Sequence, residues 1–186
     1  MGWLSLLVLV AACLPARAQT PTYKLGRTPS AEEIRAADTA VGPAGKELPP
    51  GRGTAQEGAK LFAQKCAPCH GPTGAEGPLA PRLVGGVGTM NTPKPVRTIG
   101  SYWPFATTIW DFINRAMPLN QEGTLKPDEV YALTAFLLSR NGIIQETDVL
   151  DAQRLPQVKM PNREMYRPPP ISEWKPGMPR RFRIDP

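Results

Sequence analysis

The stretch Cys66-Ala67-Pro68-Cys69-His70 decides how this chain is read, and His70 is its only histidine. C-x-x-C-H is the attachment sequence of a c-type haem. Two thiols add across the two vinyl groups of one porphyrin, and two intervening residues let both sulfurs reach it. The histidine that follows is placed to ligate the iron from the proximal face. The pentapeptide therefore names a cofactor, covalent bonds at Cys66 and Cys69, and one axial ligand, His70. Other uses of the motif fit less well. A structural zinc site needs about four Cys or His ligands, and beyond residue 18 the chain offers only Cys66, Cys69 and His70. A thioredoxin-like dithiol sits near a βαβ pattern, and no alternation of strands and helices is visible. A lone Cys66–Cys69 disulfide leaves the adjacent histidine unexplained.

In bacteria c-type haem is attached outside the cytoplasm, so the motif asks for an export signal. Residues 1–18 supply one. An apolar stretch runs over residues 4–12, and Ala16-Arg17-Ala18 is an A-x-A cleavage site. The stretch is too short to span a bilayer, and no Lys or Arg precedes it. Val10-Ala11-Ala12-Cys13 also resembles a lipoprotein box, which would make Cys13 a lipidated first residue. Cleavage after Ala18, removing Cys13, is the preferred reading, and the mature chain is expected in the periplasm. No other segment is long and apolar enough for a transmembrane helix.

The 186 residues amount to about one domain. The 23 prolines divide it. Residues 19–52 form a Pro- and Gly-rich arm. Residues 53–144 form the haem domain. Residues 145–186 form an extended basic tail whose prolines exclude a long helix or a central strand. The formal charge is +6, or +5 once Arg17 is removed, with a pI of about 9.5. An exported chain rarely meets nucleic acid, so this reads as docking and solubility charge.

Helices are expected at four places. In the arm, Ser30 and Glu33 have capping-box spacing for a short helix through Ile34 to Ala37. Residues 54–65 run into the motif, with Gly58 and Phe62 on one face. Residues 104–116 place Phe105, Ile109, Phe112 and Ile113 at helical spacing behind Pro104. Residues 127–140 begin with Pro127, Asp128 and Glu129, end near Arg140 and stop at Asn141-Gly142. Val130, Leu133, Phe136 and Leu137 give this last helix an apolar stripe. The fold class read from these elements is all-α, a few helices around one covalently held haem.

Over residues 54–140 this arrangement resembles the class I cytochrome c family. In that family the first and last helices cross at a small residue and an aromatic, which Gly58 and Phe136 match. Pro81-Arg82-Leu83 resembles the family's P-x-L turn, whose proline carbonyl accepts the proximal histidine's Nδ1–H. Met117-Pro118 resembles the family's ligand turn. With no second histidine in the chain, the resemblance makes Met117 the sixth iron ligand, with Met90 as the runner-up. Tyr102 and Trp103 are candidate propionate contacts, ahead of Arg82 and Arg97.

A narrower resemblance lies outside the motif. Residues 97–108, RTIGSYWPFATT, and residues 131–138, YALTAFLL, are similar to the cytochrome subunits of bacterial sulfite and sulfane dehydrogenases. So are Met160-Pro161-Asn162-Arg163, Leu25-Gly26-Arg27 and Leu48-Pro49-Pro50-Gly51. The Sox form often carries a second haem domain, and this chain has one. The resemblance implies an electron-transfer subunit, not itself an enzyme. It would take single electrons from a sulfite oxidase-type molybdoenzyme and pass them to a downstream cytochrome or terminal oxidase. The competing readings are a haem enzyme and a small-ligand sensor, and both need a vacant distal site. The basic tail, with Trp174, Phe182 and Pro168-Pro169-Pro170 as apolar anchors, reads as a docking segment.

Overall fold

The computed structural model describes residues 23 and 25–165. The export signal, Cys13 and the tail anchors from Arg167 onward lie outside the described residues. The described chain falls into two units, divided after Ala37.

The first unit carries α1, Ala31–Ala37. Its capping box forms as the spacing predicts. Ser30 N–H donates to Glu33 Oε2 at 2.8 Å, and Glu33 N–H donates back to Ser30 Oγ at 3.1 Å. No residue of α1 is buried, so local capping and not packing defines it.

The second unit contains β1 (Arg52–Thr54), α2 (Ala55–Lys65), α3 (Ala67–His70), α4 (Ile99–Tyr102), α5 (Ala106–Ala116), α6 (Pro127–Arg140) and β2 (Val149–Asp151). Two 3-10 turns, Leu155–Gln157 and Arg163–Met165, follow. Helix α2 starts where Thr54 and Glu57 complete a second capping box. Helix α6 starts at Pro127, with Glu129 Oε2 accepting from Lys126 N–H at 2.8 Å. It stops at Asn141, with Gly142 at φ 69°.

Helices α2 and α6 cross so closely that no side chain fits between them. A Cβ on Gly58 would sit 1.9 Å from Ala132 O and 2.7 Å from Phe136 Cβ. Beside this point the Phe62 and Phe136 rings meet at 4.9 Å between centroids. Strand β1 leans on the same turn of α6, since a Cβ on Gly53 would meet Ala132 N at 2.3 Å.

Two features depart from the sequence expectation, and a third, in the tail, settles for residues up to 165 whether the chain lies over the domain or over a partner. The helix expected from residue 104 begins at Ala106, because the short α4 takes the preceding residues and Pro104 separates the two. Trp103, as a residue before proline, is extended at φ −77° and ψ 129°, which ends α4. The all-α core gains a small antiparallel ladder, with Gly53 opposite Leu150. The segment after residue 144 also packs into this unit. Leu150, Leu155 and Met160 are buried in the same core as Phe62, Trp110 and Tyr131. Proline excludes long regular elements, but it leaves isolated apolar residues free to anchor an extended chain. None of the described helices is long and apolar enough to cross a membrane.

Gly58→Val should destabilise the protein by about 3 kcal/mol or more, because the side chain must displace helix backbone. Gly42→Ala, whose Cβ would meet only a Glu47 carboxylate oxygen at 3.5 Å, should be nearly neutral. Urea unfolding midpoints compare the two directly.

Candidate haem site

Helix α2 hands the chain straight to the motif. Cys66 N–H donates to Phe62 O at 2.9 Å, and His70 N–H donates to Cys66 O at 2.9 Å. Pro68 lies in the first turn of α3, where its missing N–H costs nothing. The loop beyond folds back over the motif's carbonyls. Leu79 and Ala80 N–H groups both donate to Cys69 O at 3.1 Å, and Gly77 N–H donates to His70 O at 3.2 Å.

That loop delivers Pro81 O to 2.8 Å from His70 Nδ1. The carbonyl can only accept, so Nδ1 carries the proton and Nε2 is left as the nitrogen with a free lone pair. Asn141 braces the chain just after Pro81. Its Nδ2 donates to Leu83 O at 3.2 Å, and its Oδ1 accepts from Gly85 N–H at 3.0 Å. The sequence marks Asn141 only as a helix stop, and nothing in the spacing signals this second role.

His70 is 9 % exposed, and it shares one cavity with Leu83, Ile99, Trp103, Ile109, Phe112, Ile113, Met117 and Leu137. This cavity of about 80 Å³ is apolar apart from the imidazole and the thioether. Cys66 is half-buried and Cys69 exposed, both are free thiols, and neither lines the cavity, although they flank His70 in the same motif. Burial pushes the Cys66 thiol up to about 11. A larger depression of about 530 Å³ lies where β1, α2 and α6 meet. It shares no residue with the His70 cavity. Its three carboxylates are already occupied, Asp128 with Arg52 N–H, Glu57 with Thr54 N–H and Glu129 with Lys126 N–H.

The candidate residues separate as follows. Met117 lines the His70 cavity, while Met90 is half-buried in a loop and is not among the lining side chains. Trp103 lines the cavity and meets Phe112 edge-on at 5.6 Å. Tyr102 is not in the lining, and the Arg97 guanidinium lies 5.5 Å from its ring centroid. Among the described residues no three His, Cys, Asp or Glu side chains gather as a metal site. The donor set fits a covalently held porphyrin: two free thiols in the motif, a fixed imidazole, and a thioether that shares an apolar cavity with it.

Helix α5 turns Ile109, Phe112 and Ile113 to this cavity and is tethered on its other side. Asp111 is 7 % exposed and accepts from Arg115 Nε at 2.8 Å and Nη2 at 2.5 Å. It also accepts from Val41 N–H at 2.9 Å, which pins the chain ahead of β1 onto the helix. Burial pushes the Asp111 carboxyl up, but the Arg115 guanidinium and the Val41 N–H outweigh it and hold the carboxyl below its usual range.

The family model for cytochrome c matches residues 55–141. One chain of the crystal structure of the sulfane dehydrogenase SoxCD from Paracoccus pantotrophus is similar at 45 % identity and a TM-score of 0.70. That match covers 82 % of this chain and 75 % of the other. No curated protein matches. The helical fold class read from the sequence is the one these matches describe.

Asp111→Asn should cost about 1–2 kcal/mol at pH 7, since a buried charged hydrogen bond is lost. The folded carboxyl titrates below its unfolded value of about 4, so the wild-type advantage is complete above that pH. It disappears as pH falls through the folded value. Denaturation midpoints of the two proteins should therefore converge below about pH 4.

Proposed function

Since the chain belongs to the cytochrome c family, we propose that it carries one covalently bound haem and works as a single-electron carrier for a sulfur-oxidising dehydrogenase. When bound, the haem supplies the one-electron couple; the chain's own residues bind, orient and shield it. Cys66 and Cys69 would hold the porphyrin as thioethers. His70 and Met117 would be the axial ligands. The carbonyl of Pro81 fixes the His70 tautomer and keeps the ring from turning, and a bonded Nδ1–H makes the opposite nitrogen a better donor. As iron ligands, the Met117 thioether and the His70 imidazole together would give a raised reduction potential.

The observation that carries this reading is that His70 and Met117 line one cavity whose remaining wall is hydrocarbon and aromatic. If His70 and Met117 both held the iron, no position on it would be left for substrate. A peroxidase-like enzyme or a small-ligand sensor needs an open distal position, and an enzyme needs polar groups there as well. The chain has no second histidine to offer. The carrier is therefore favoured over both.

The partner assignment draws on the similar structure, a sulfane dehydrogenase by name. The likeness reaches well beyond residues 55–141, into the segments that hold no candidate haem ligand. We take these segments to be shaped for a sulfite oxidase-type molybdoenzyme as electron donor. A downstream c-type cytochrome or a terminal oxidase would be the acceptor. The setting is the periplasm, reached through cleavage after Ala18. The basic tail would face an acidic surface of the donor.

Met117→Ala should retain the covalent haem, lose the low-spin His/Met absorption near the red edge, and lower the potential. A wild-type spectrum in Met117→Ala, together with its loss in Met90→Ala, would reassign the ligand. Deleting residues 168–186 should leave spectrum and potential unchanged but weaken donor binding about tenfold, or about 1.4 kcal/mol. The loss should be larger at low ionic strength, where charge steering is strongest. Titrations at two salt concentrations decide whether the tail docks.

A further inference from the structure

Trp103 lines the cavity from the turn that joins α4 to α5. It sits between two helices in the turn of residues 102–105, and Pro104 behind it has no N–H to offer. Helix α4 is a single turn, so the carbonyl of Tyr102, its last residue, has no partner within the helix.

The partner comes from far along the chain. Asn162 is 3 % exposed, and its Nδ2 donates to Tyr102 O at 2.6 Å across 60 residues. The other end of the side chain, Oδ1, is buried and accepts from no described group. The residue is thus placed for its donor and tolerates an unpaired acceptor to use it. Arg163 lays its guanidinium 4.8 Å from the Phe105 ring centroid. Met160, 3 % exposed, anchors this segment in the core, and Arg163 N–H closes the turn onto Met160 O at 3.1 Å. Residues 160–163 therefore grip the turn on both sides of Trp103, at Tyr102 and at Phe105.

We propose that residues 160–163 are a strap that holds the Trp103 wall against the haem, with Asn162 as its positioning residue. The inference rests on the haem assignment above. A closed wall keeps water from the iron. Loosening it lets water and small ligands in, and the wetter site favours the more highly charged ferric state, which lowers the potential.

The test uses the full-length haem protein. Imidazole binding to the ferric form reports how readily the distal side opens, and the reduction potential reports how wet it is. Asn162→Leu keeps the branching and the number of side-chain heavy atoms and removes the donor. It should speed imidazole binding about tenfold, the equivalent of one lost hydrogen bond of about 1.4 kcal/mol. It should also lower the potential. Arg163→Ala, at an exposed residue, should act in the same direction with less effect. Leu155→Ala removes a fully buried side chain from the same segment, ahead of the strap. It should cost more stability yet leave imidazole binding and potential within about twofold.

Wild-type imidazole rates and potential in Asn162→Leu would overturn the strap. So would equal effects from Leu155→Ala, which would mean that any loss of stability opens the site. A wild-type protein lacking covalent haem or the low-spin signature would instead fail the underlying assignment, before any variant is compared.

Discussion

The site depends on the absence of a side chain at Gly58. Helices α2 and α6 touch backbone to backbone there, and Ala132 O occupies the space a Cβ would need. Everything proximal follows from that contact. Helix α2 ends one residue before Cys66, so its placement on α6 sets the placement of the motif. Helix α6 sends Leu137 into the cavity and ends at Asn141, whose amide holds the chain at Leu83 and Gly85. That segment continues directly from Pro81, whose carbonyl orients His70. The imidazole is thus oriented by a hydrogen bond, the bond by a loop, and the loop by the helix that the glycine admits. A displacement at the crossing would reach His70 through both helices at once.

The sequence made legible those parts of this arrangement that are local or periodic. The motif, the capping box at Ser30, the apolar stripes of α5 and α6 and the Asn141-Gly142 stop all lie within a few turns of chain, where residue type and spacing carry the signal. Pro81 and Met117 stood out only through a family resemblance, since a lone proline or methionine in a loop has no pattern of its own. Short helices were missed. Four residues over 99–102 are too few for periodicity, and α4 is defined by Thr98 and Ser101 capping each other, with Ser101 Oγ also donating to Val96 O at 2.6 Å. The ladder between β1 and β2 was missed because three-residue strands pair across nearly a hundred residues of intervening chain. Such pairing depends on where the helices have already placed the two segments.

Charge shows why composition alone was a weak guide. The chain is basic overall, yet many of its described carboxylates serve backbone N–H groups. Glu33, Glu57 and Glu129 close helix N-termini, Asp148 accepts from Gln145 N–H, and Asp151 accepts from Gln153 and Arg154 N–H. An acid held against a helix N-terminus is partly balanced by the dipole it caps. The cations have fewer such internal uses. Arg52, Lys94, Arg97 and Arg140 are exposed, so the field presented to a partner is more basic than the count of acids suggests.

Two segments of the second unit meet α5 on different terms. The segment ahead of β1 is fixed through Asp111, on the side away from the cavity, and it steadies the helix as a whole. The segment after β2 reaches the turn that begins the helix, where Asn162 Nδ2 donates to Tyr102 O. A residue before proline is driven to extended geometry, and a one-turn helix leaves its last carbonyls without partners. Any aromatic wall built at such a point needs a donor from elsewhere in the fold. Asn162 supplies it from a region whose prolines forbid a helix or a long strand. Irregular chain suits this use because its side chains are not committed to a regular ladder, and a few buried anchors such as Leu155 and Met160 suffice to fix it. On this argument part of the proline-rich extension is built into the wall of the His70 cavity, through the turn that carries Trp103.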